Sequence, residues 1–331
     1  MKNPNSIKMI LILIRLEGHH LNAIHAAAPG AKVIVLSNNP EEMAEKIEEF
    51  LPEVDIILAN PYRDRTLLTE ILNAPRLRWI QQRSAGANWL MDYLQLAESE
   101  LIVTNACGIH AIPISEHILA FIFCLARDVQ CSIRDQMEHR WNRIHRISEV
   151  EGQTIGLIGM GAVGEKTAEK AKALKMRVLG VRRHSGRSNI WVDKMYDPKN
   201  LLEMLPQADW VVITAPLTCE TKGMIGEREL KALKKSAYIV NVSRGPIIEE
   251  QALIKALQDE WIAGAGLDVF EEEPLPESSP LWGMKNVIIT AHYAGGTPSY
   301  LDRLIGIFTE NLRRYQIGIP LINIVDKRLG Y

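Results

Sequence analysis

Short apolar runs alternate with amphipathic stretches along the whole chain, and that alternation predicts a parallel sheet with crossover helices. Residues 7–14 form a first apolar run, followed by a helical pattern near 21–28. A β-branched run at 32–36 is closed by Ser37-Asn38-Asn39, and 41–50 is a charged amphipathic helix. Two further short strands fall at 54–58 and 77–81. Residues 114–126 are helical in pattern and apolar almost all round, which predicts burial at a domain or subunit interface. A second strand–helix series begins at Thr154, with strands near 155–158, 177–181, 210–214, 237–242, 264–269 and 287–290. Pro298 opens a last helix over about 300–315. No solenoid period and no low-complexity segment interrupts this, so the pattern predicts two α/β units, one inside the other.

Composition excludes several function classes. The 331 residues suffice for two cores, with 47% apolar and 24% charged residues, as in an ordinary globular protein. A formal net charge of −2 with interspersed signs argues against a nucleic-acid partner. The four cysteines, Cys107, Cys124, Cys131 and Cys219, show neither zinc-ligand nor disulfide spacing, so no metal is expected. Cys124 reads as a core residue of the apolar helix. The apolar run at 9–14 is stopped by Arg15 and reads as a buried strand rather than a signal. No segment has the length to span a membrane, and the expected compartment is the cytoplasm.

Gly159-Met160-Gly161-Ala162-Val163-Gly164 follows the strand at 154–158 and leads into helical residues 163–174. In that context the glycines read as a dinucleotide phosphate turn. Gly159 makes the tight turn, Gly161 admits the pyrophosphate to the backbone, and Gly164 lets helix and strand pack closely, with Ala168 one turn on. The pyrophosphate then meets the free N–H groups of Ala162 and Val163 at the helix start. An NAD site places an acid at the end of the next strand, about 20 residues on. Here that place holds Arg182, Arg183, His184, Ser185 and Arg187. Such groups suit a 2′-phosphate, so NADP is favoured, with NAD as the alternative.

Three later strand ends carry chemistry. Arg244 follows the strand at 237–242, Glu273 follows the strand at 264–269, and His292 follows that at 287–290. Ligands of open α/β sheets bind at such carboxyl ends. A guanidinium grips a carboxylate, and a histidine oriented by an acid gives a proton to a developing alkoxide. Taken singly, each residue would be an ordinary ion pair, loop acid or core histidine. With the glycine turn they point to hydride transfer with a 2-oxo acid.

The chain from about Gln81 onward resembles the D-isomer-specific 2-hydroxyacid dehydrogenases, a family that includes glyoxylate and hydroxypyruvate reductases. Ser84-Ala85-Gly86 resembles the loop whose amides hold the substrate carboxylate. The stretch from Val103-Thr104-Asn105 through His110 to Ser115-Glu116-His117 matches the approach to the interdomain helix. Ala215-Pro216-Leu217-Thr218 with Thr221 resembles the turn beside the adenosine side of the cofactor. Val242-Ser243-Arg244-Gly245, Leu267-Asp268-Val269-Phe270 with Glu273-Pro274, and Thr290-Ala291-His292 match the family's arginine, acid and histidine motifs. The resemblance implies that Arg244 binds substrate, His292 is the acid/base, Glu273 is its partner and Asp268 tunes the site's protonation. It implies a cofactor-binding Rossmann domain over 109–298, inserted into a flavodoxin-like substrate domain of residues 1–108 and 299–331. It also implies an active site in the cleft, whose closure excludes water, and a homodimer joined through 114–126 and the Trp141 region.

Three positions depart from the family pattern, two of them bearing on how the site loops are held and the third on the choice of cofactor. Ala291 stands where the family usually has Pro, Asn88 where it commonly has Asp, and the acid expected for NAD is absent. No regulatory domain is expected after Tyr331. The residues point to NADPH-preferring reduction of a small 2-oxo acid, and the resemblance implies that the product is the D-2-hydroxy acid. A phosphite-type dehydrogenase shares the Arg, Glu and His arrangement, whereas formate enzymes carry Gln in place of Glu273. A non-catalytic dinucleotide sensor is the alternative from another class. Trp89, Leu90, Trp141 and Tyr293 are candidates either for the pocket or for packing.

Overall fold

The structure is a computed structural model that describes residues 6–36, 46–59, 65–86, 90, 93, 96, 98–143, 146–183 and 189–328. The chain folds into two compact units, Met1–Ile109 with Pro298–Tyr331, and His110–Thr297. Strands are numbered β1 to β12 in chain order, and helices are given by their residues.

The first unit carries a five-stranded parallel sheet of β1 (Met9–Ile12), β2 (Lys32–Val35), β3 (Ile56–Ala59), β4 (Trp79–Gln82) and β5 (Ile102–Thr104). Their spatial order, β2-β1-β3-β4-β5, is that of flavodoxin-like folds. β1, β3 and β4 are buried at every position, because helices cover both faces. Alternate residues divide between the faces: Ile10, Ile12, Ile56, Leu58 and Trp79 join one cluster, and Met9, Leu11, Ile57 and Ile80 the other. Trp79 satisfies its buried indole N–H on Thr104 Oγ1 at 2.7 Å.

The Gly18–Ala27 and Tyr300–Ile317 helices of this unit are tied by a polar clasp. His19 Nε2 and His20 Nε2 lie 3.0 and 3.1 Å from the same oxygen, Asp302 Oδ1. Glu17 donates its backbone N–H to His20 Nδ1 at 3.2 Å, which puts the His20 proton on Nε2, facing the carboxylate. The two imidazole hydrogen bonds hold the Asp302 carboxyl below its ordinary range.

The second unit carries seven parallel strands: β6 (Thr154–Ile158), β7 (Arg177–Val181), β8 (Lys194–Tyr196), β9 (Trp210–Ile213), β10 (Tyr238–Asn241), β11 (Gly264–Leu267) and β12 (Val287–Ile289). The order β12-β11-β10-β9-β6-β7-β8 reverses direction between β6 and β9, the doubly wound arrangement whose switch point binds dinucleotides. Here too the sheet separates two apolar clusters. Ile155, Leu157, Val178 and Val212 face the Ala111–Ala126 helix, while Ile158, Leu179, Val211 and Ile213 pack on the opposite side. The Ala111–Ala126 helix begins three residues earlier than the apolar pattern predicts, since Pro113 in its first turn needs no intrahelical N–H bond. Cys124 is only half-buried there, not a core residue, and that burial raises its thiol pKa. Among the described residues no helix is long and apolar enough to cross a membrane.

Candidate active site

The three glycines of the turn sit in different surroundings. Gly159 has φ of 106°, and a Cβ there would meet the Ala215 backbone N at 2.4 Å. Gly164 sits on the Gly159 carbonyl, where a Cβ would come within 2.1 Å of the oxygen. Around Gly161 there is open space. Two glycines are therefore required by the fold, while the third leaves room beside the backbone. Gly161 is the N-cap of the Ala162–Ala173 helix and offers no side-chain cap, so the first-turn N–H groups face outward. A phosphate fits that cradle by charge and by space.

The loop after β9 forms the opposite wall of the turn. Thr214 donates its hydroxyl to Gly159 O at 2.6 Å, and Ser243 donates its hydroxyl to Ala215 O. Thr221 donates to Pro216 O at 2.7 Å and accepts the Thr218 N–H at 2.7 Å, which fixes the Ala215–Pro216 bend. Val242 is buried in the apolar cluster that faces the Ala111–Ala126 helix.

At the end of β7 the two arginines are engaged. Arg182 faces Glu165 at 3.6 Å, and Arg183 faces Glu220 at 3.1 Å. His184, Ser185 and Arg187 lie outside the described residues, as do Asn88 and Trp89. The acid neighbours of the arginines come from other elements, so the basic run in the sequence gives no hint of them.

Arg244, Glu273 and His292 follow the adjacent strands β10, β11 and β12. Arg244 is exposed, and one guanidinium nitrogen donates to Ser243 O at 2.7 Å. No carboxylate pairs with it among the described residues. Asn241 is buried and braces the bend, accepting the Ser243 N–H at 3.1 Å and donating to Arg244 O at 3.0 Å. Gly245 then packs directly against the backbone of Phe270 and Glu271, which brings the arginine and acid loops together.

Glu273 uses both carboxylate oxygens. Oε1 accepts the Phe270 N–H at 3.0 Å, and Oε2 lies 2.6 Å from His292 Nδ1. The anion makes Nδ1 the donor, so Nε2 is the nitrogen left free to exchange a proton. Asp268 is 1% exposed and organises the histidine loop rather than facing solvent. Its carbonyl accepts the His292 N–H at 2.9 Å. Its carboxylate accepts the Tyr293 and Ala294 N–H groups at 3.0 Å each and the Thr290 hydroxyl at 2.5 Å. These bonds hold His292 at φ of 53°, a left-handed conformation that costs about 1–3 kcal/mol for a non-glycine residue.

The loop at Ser84–Gly86 belongs to the first unit. Its carbonyls are occupied: Ser84 O by Ala106 N–H at 3.0 Å, Ala85 O by Asn105 Nδ2 at 2.8 Å, and Gly86 O by Gln82 Nε2. Among the described residues the amides of Ser84, Ala85 and Gly86 find no acceptor, which suits an anionic ligand. Of the candidate pocket residues, Leu90 is in the core, while Trp141 is 94% exposed and Tyr293 stands edge-on to His117 at 5.5 Å.

Residues 119–294 match the family model "D-isomer specific 2-hydroxyacid dehydrogenase, NAD binding domain". The chain is 32% identical over 326 residues to a glyoxylate reductase of Korarchaeum cryptofilum, covering 90% of this chain and 96% of the relative. A crystal structure of a D-isomer specific 2-hydroxyacid dehydrogenase family protein from Aeromonas salmonicida superposes with a TM-score of 0.82 at 32% identity, covering 97% of this chain and all of that one. A D-isomer specific 2-hydroxyacid dehydrogenase from Xanthobacter autotrophicus, solved with NADPH and MES, superposes with a TM-score of 0.79 at 29% identity, covering 98% of this chain and all of that one.

Proposed function

The chain belongs to the D-isomer specific 2-hydroxyacid dehydrogenase family, and from that premise we propose that it reduces a small 2-oxo acid to a D-2-hydroxy acid with NADPH. The observation that carries the reading is the Glu273–His292 pair at 2.6 Å, one strand end away from an exposed arginine that has no carboxylate partner among the described residues.

The cofactor site is assigned to Gly159, Gly161, Ala162, Val163 and Gly164, with Ala215, Pro216, Thr221, Val242, Ser243 and Asp268 along the adjoining loops. Arg182 and Arg183, with His184 and Ser185, are assigned to the 2′-phosphate, a preference supported by the absence of an acid at the end of β7. NADPH-bound relatives on this scaffold support the same preference. The bound nicotinamide supplies the hydride that adds to the carbonyl carbon.

Arg244 grips the substrate carboxylate with the N–H groups not used on Ser243 and polarises the keto oxygen. The loop of Ser84, Ala85 and Gly86 in the first unit, whose amides find no acceptor among the described residues, is assigned to substrate binding. As the C=O bond becomes an alkoxide, His292 Nε2 delivers the proton, and the Glu273 anion stabilises the imidazolium beforehand. In the oxidative direction the same nitrogen takes the hydroxyl proton. Glyoxylate is the first substrate to test, given the glyoxylate reductase relative.

We also assign the chain a homodimeric state. Val129, Ile133 and Met137 recur at helical spacing and are all exposed, with Phe123 and Trp141 nearby in sequence, which suits contact with a second copy.

The test is oxidation of NADPH and NADH by the purified protein with glyoxylate, hydroxypyruvate, pyruvate and phenylpyruvate. Turnover should prefer NADPH and fall about 10²–10⁴-fold in His292→Ala. Preference for NADH would sink the 2′-phosphate assignment and keep the chemistry. Cofactor binding without turnover of any oxo acid or of phosphite would overturn the reductase and leave a sensor.

A further inference from the structure

We infer that His117 is a positioning residue of the acid–base site, acting through Thr290 on Asp268, and the inference rests on the reading of His292 as the acid. His117 lies on the Ala111–Ala126 helix, 175 positions before His292 in the chain. Its Nε2 is 3.0 Å from Thr290 Oγ1, and that hydroxyl is 2.5 Å from Asp268 Oδ1.

The direction of this relay follows from proton counting. A carboxylate only accepts, so the single Thr290 proton points to Asp268. Thr290 Oγ1 must then accept from its other neighbour, and His117 carries its proton on Nε2. His117 is largely buried, in edge contact with the Phe121 ring at 4.6 Å and the Tyr293 ring at 5.5 Å. Desolvation lowers its pKa against the opposing pull of Asp268, so near neutral pH it acts as a neutral donor.

The end of the relay is the Asp268 carboxylate, which holds the Tyr293 and Ala294 amides at 3.0 Å while its carbonyl holds that of His292. A carboxylate buried at 1% exposure and bonded to three donors has one orientation. Losing the Thr290 arm frees it to rotate, and the left-handed turn at His292 then loses its restraint. The same helix secures the far end of this loop, for its N-cap residue His110 places Nδ1 2.9 Å from Gly295 O. The helix therefore grips the histidine loop at two points, and His117 is the one wired to the catalytic turn. Its role is to set where the His292 imidazole stands, not to touch substrate.

The test compares His117→Phe, which keeps an aromatic ring and removes the donor, with His117→Gln, which restores an N–H. Amide hydrogen exchange is followed over 290–296 with β6 and β7 as internal reference, beside kcat, KM for glyoxylate and the dissociation constant for NADPH. In His117→Phe, exchange at 292–294 should rise about tenfold, the worth of one ordinary hydrogen bond. Its kcat should fall about 10- to 100-fold with NADPH binding nearly unchanged, as a misplaced catalytic group gives. His117→Gln should recover both. Unchanged exchange in His117→Phe overturns the relay, and so does a Gln variant as impaired as the Phe variant. Should the wild-type protein reduce no 2-oxo acid, the acid–base reading of His292 fails, while the exchange data still decide whether His117 orders the loop.

Discussion

Glu165, in the first turn of the Ala162–Ala173 helix, reaches across to Arg182 at the end of β7 with 3.6 Å between charged groups. The acid thus sits beside the phosphate cradle and occupies an arginine that the sequence assigns to a 2′-phosphate. Binding of that phosphate has to compete with the carboxylate. Both side chains are partly exposed, so the pair is worth only about 0.2–1 kcal/mol. Glu165→Gln should therefore tighten 2′,5′-ADP by up to about fivefold, as that energy range implies, and leave 5′-ADP unchanged. Titration calorimetry with the two nucleotides reads this directly. Equal tightening of both would assign Glu165 to general repulsion of the pyrophosphate, not to the choice of cofactor.

Gly161 and Gly164 should separate cofactor affinity from stability. A Cβ on Gly164 would lie 2.1 Å from Gly159 O, a backbone atom that cannot swing aside. Gly164→Ala should cost about 1–3 kcal/mol or more of stability, seen as a lowered thermal midpoint. A Cβ on Gly161 meets nothing within 4 Å. Gly161→Ala should melt like the wild type yet bind NADPH at least about tenfold more weakly, because its methyl fills the place where the pyrophosphate approaches. Wild-type NADPH affinity in Gly161→Ala would move the phosphate site elsewhere.

Arg244 and lysine are not equivalent at this position. The guanidinium spends one N–H on Ser243 O at 2.7 Å and keeps the rest of its fork for a carboxylate. Arg244→Ala should lose about a hundredfold or more in kcat/KM for the 2-oxo acid, as removal of paired charge-assisted bonds does. Arg244→Lys should recover only part of this, since a point charge cannot bond both oxygens in the same plane. NADPH affinity should stay within a few-fold in both. Steady-state kinetics with varied glyoxylate at saturating NADPH decide the matter, and a lysine variant at full activity would exclude bidentate recognition.

What the sequence discloses here is what is local. β6, the glycine turn and its helix lie within twenty consecutive residues, so strand, turn chemistry and helix are read together. The strand ends that carry Arg244, Glu273 and His292 are legible because each follows an apolar run. β8 is not, for Lys194-Met195-Tyr196 is a three-residue edge strand with a charged first position. The Val129–Met137 helix is masked by the stronger apolar signal before it. The partners of the arginines, Glu165 and Glu220, arrive from other elements, and no period or spacing announces them. Thr290 reads as one letter of a histidine motif; its link to His117 crosses 173 positions and exists only once the sheet is built. The clasp of His19 and His20 on Asp302 is more remote still, with more than 280 positions between partners.

That clasp gives the first unit a measurable acid sensitivity. The folded Asp302 carboxyl titrates below its unfolded value, because two imidazole donors stabilise its anion. A group of this kind adds stability above its unfolded pKa, about 3.9 for aspartate, and loses the contribution as pH falls through the folded value. Asp302→Asn keeps an acceptor oxygen and removes the charge. Relative to wild type it should lower the thermal midpoint of the first unit at pH 6–7, where the carboxylate is fully ionised. The deficit should persist as pH falls toward about 4 and shrink below that, once the wild-type carboxyl is itself protonated. Because Asp302 and His19 are exposed, added salt should also reduce it. Thermal melts of both proteins between pH 3 and 7, read by the fluorescence of the buried Trp79 beside the Tyr300–Ile317 helix, report the comparison. A deficit of the same size at pH 3 as at pH 7 would mean that the clasp acts through shape and hydrogen-bond geometry, not through the ionised carboxylate.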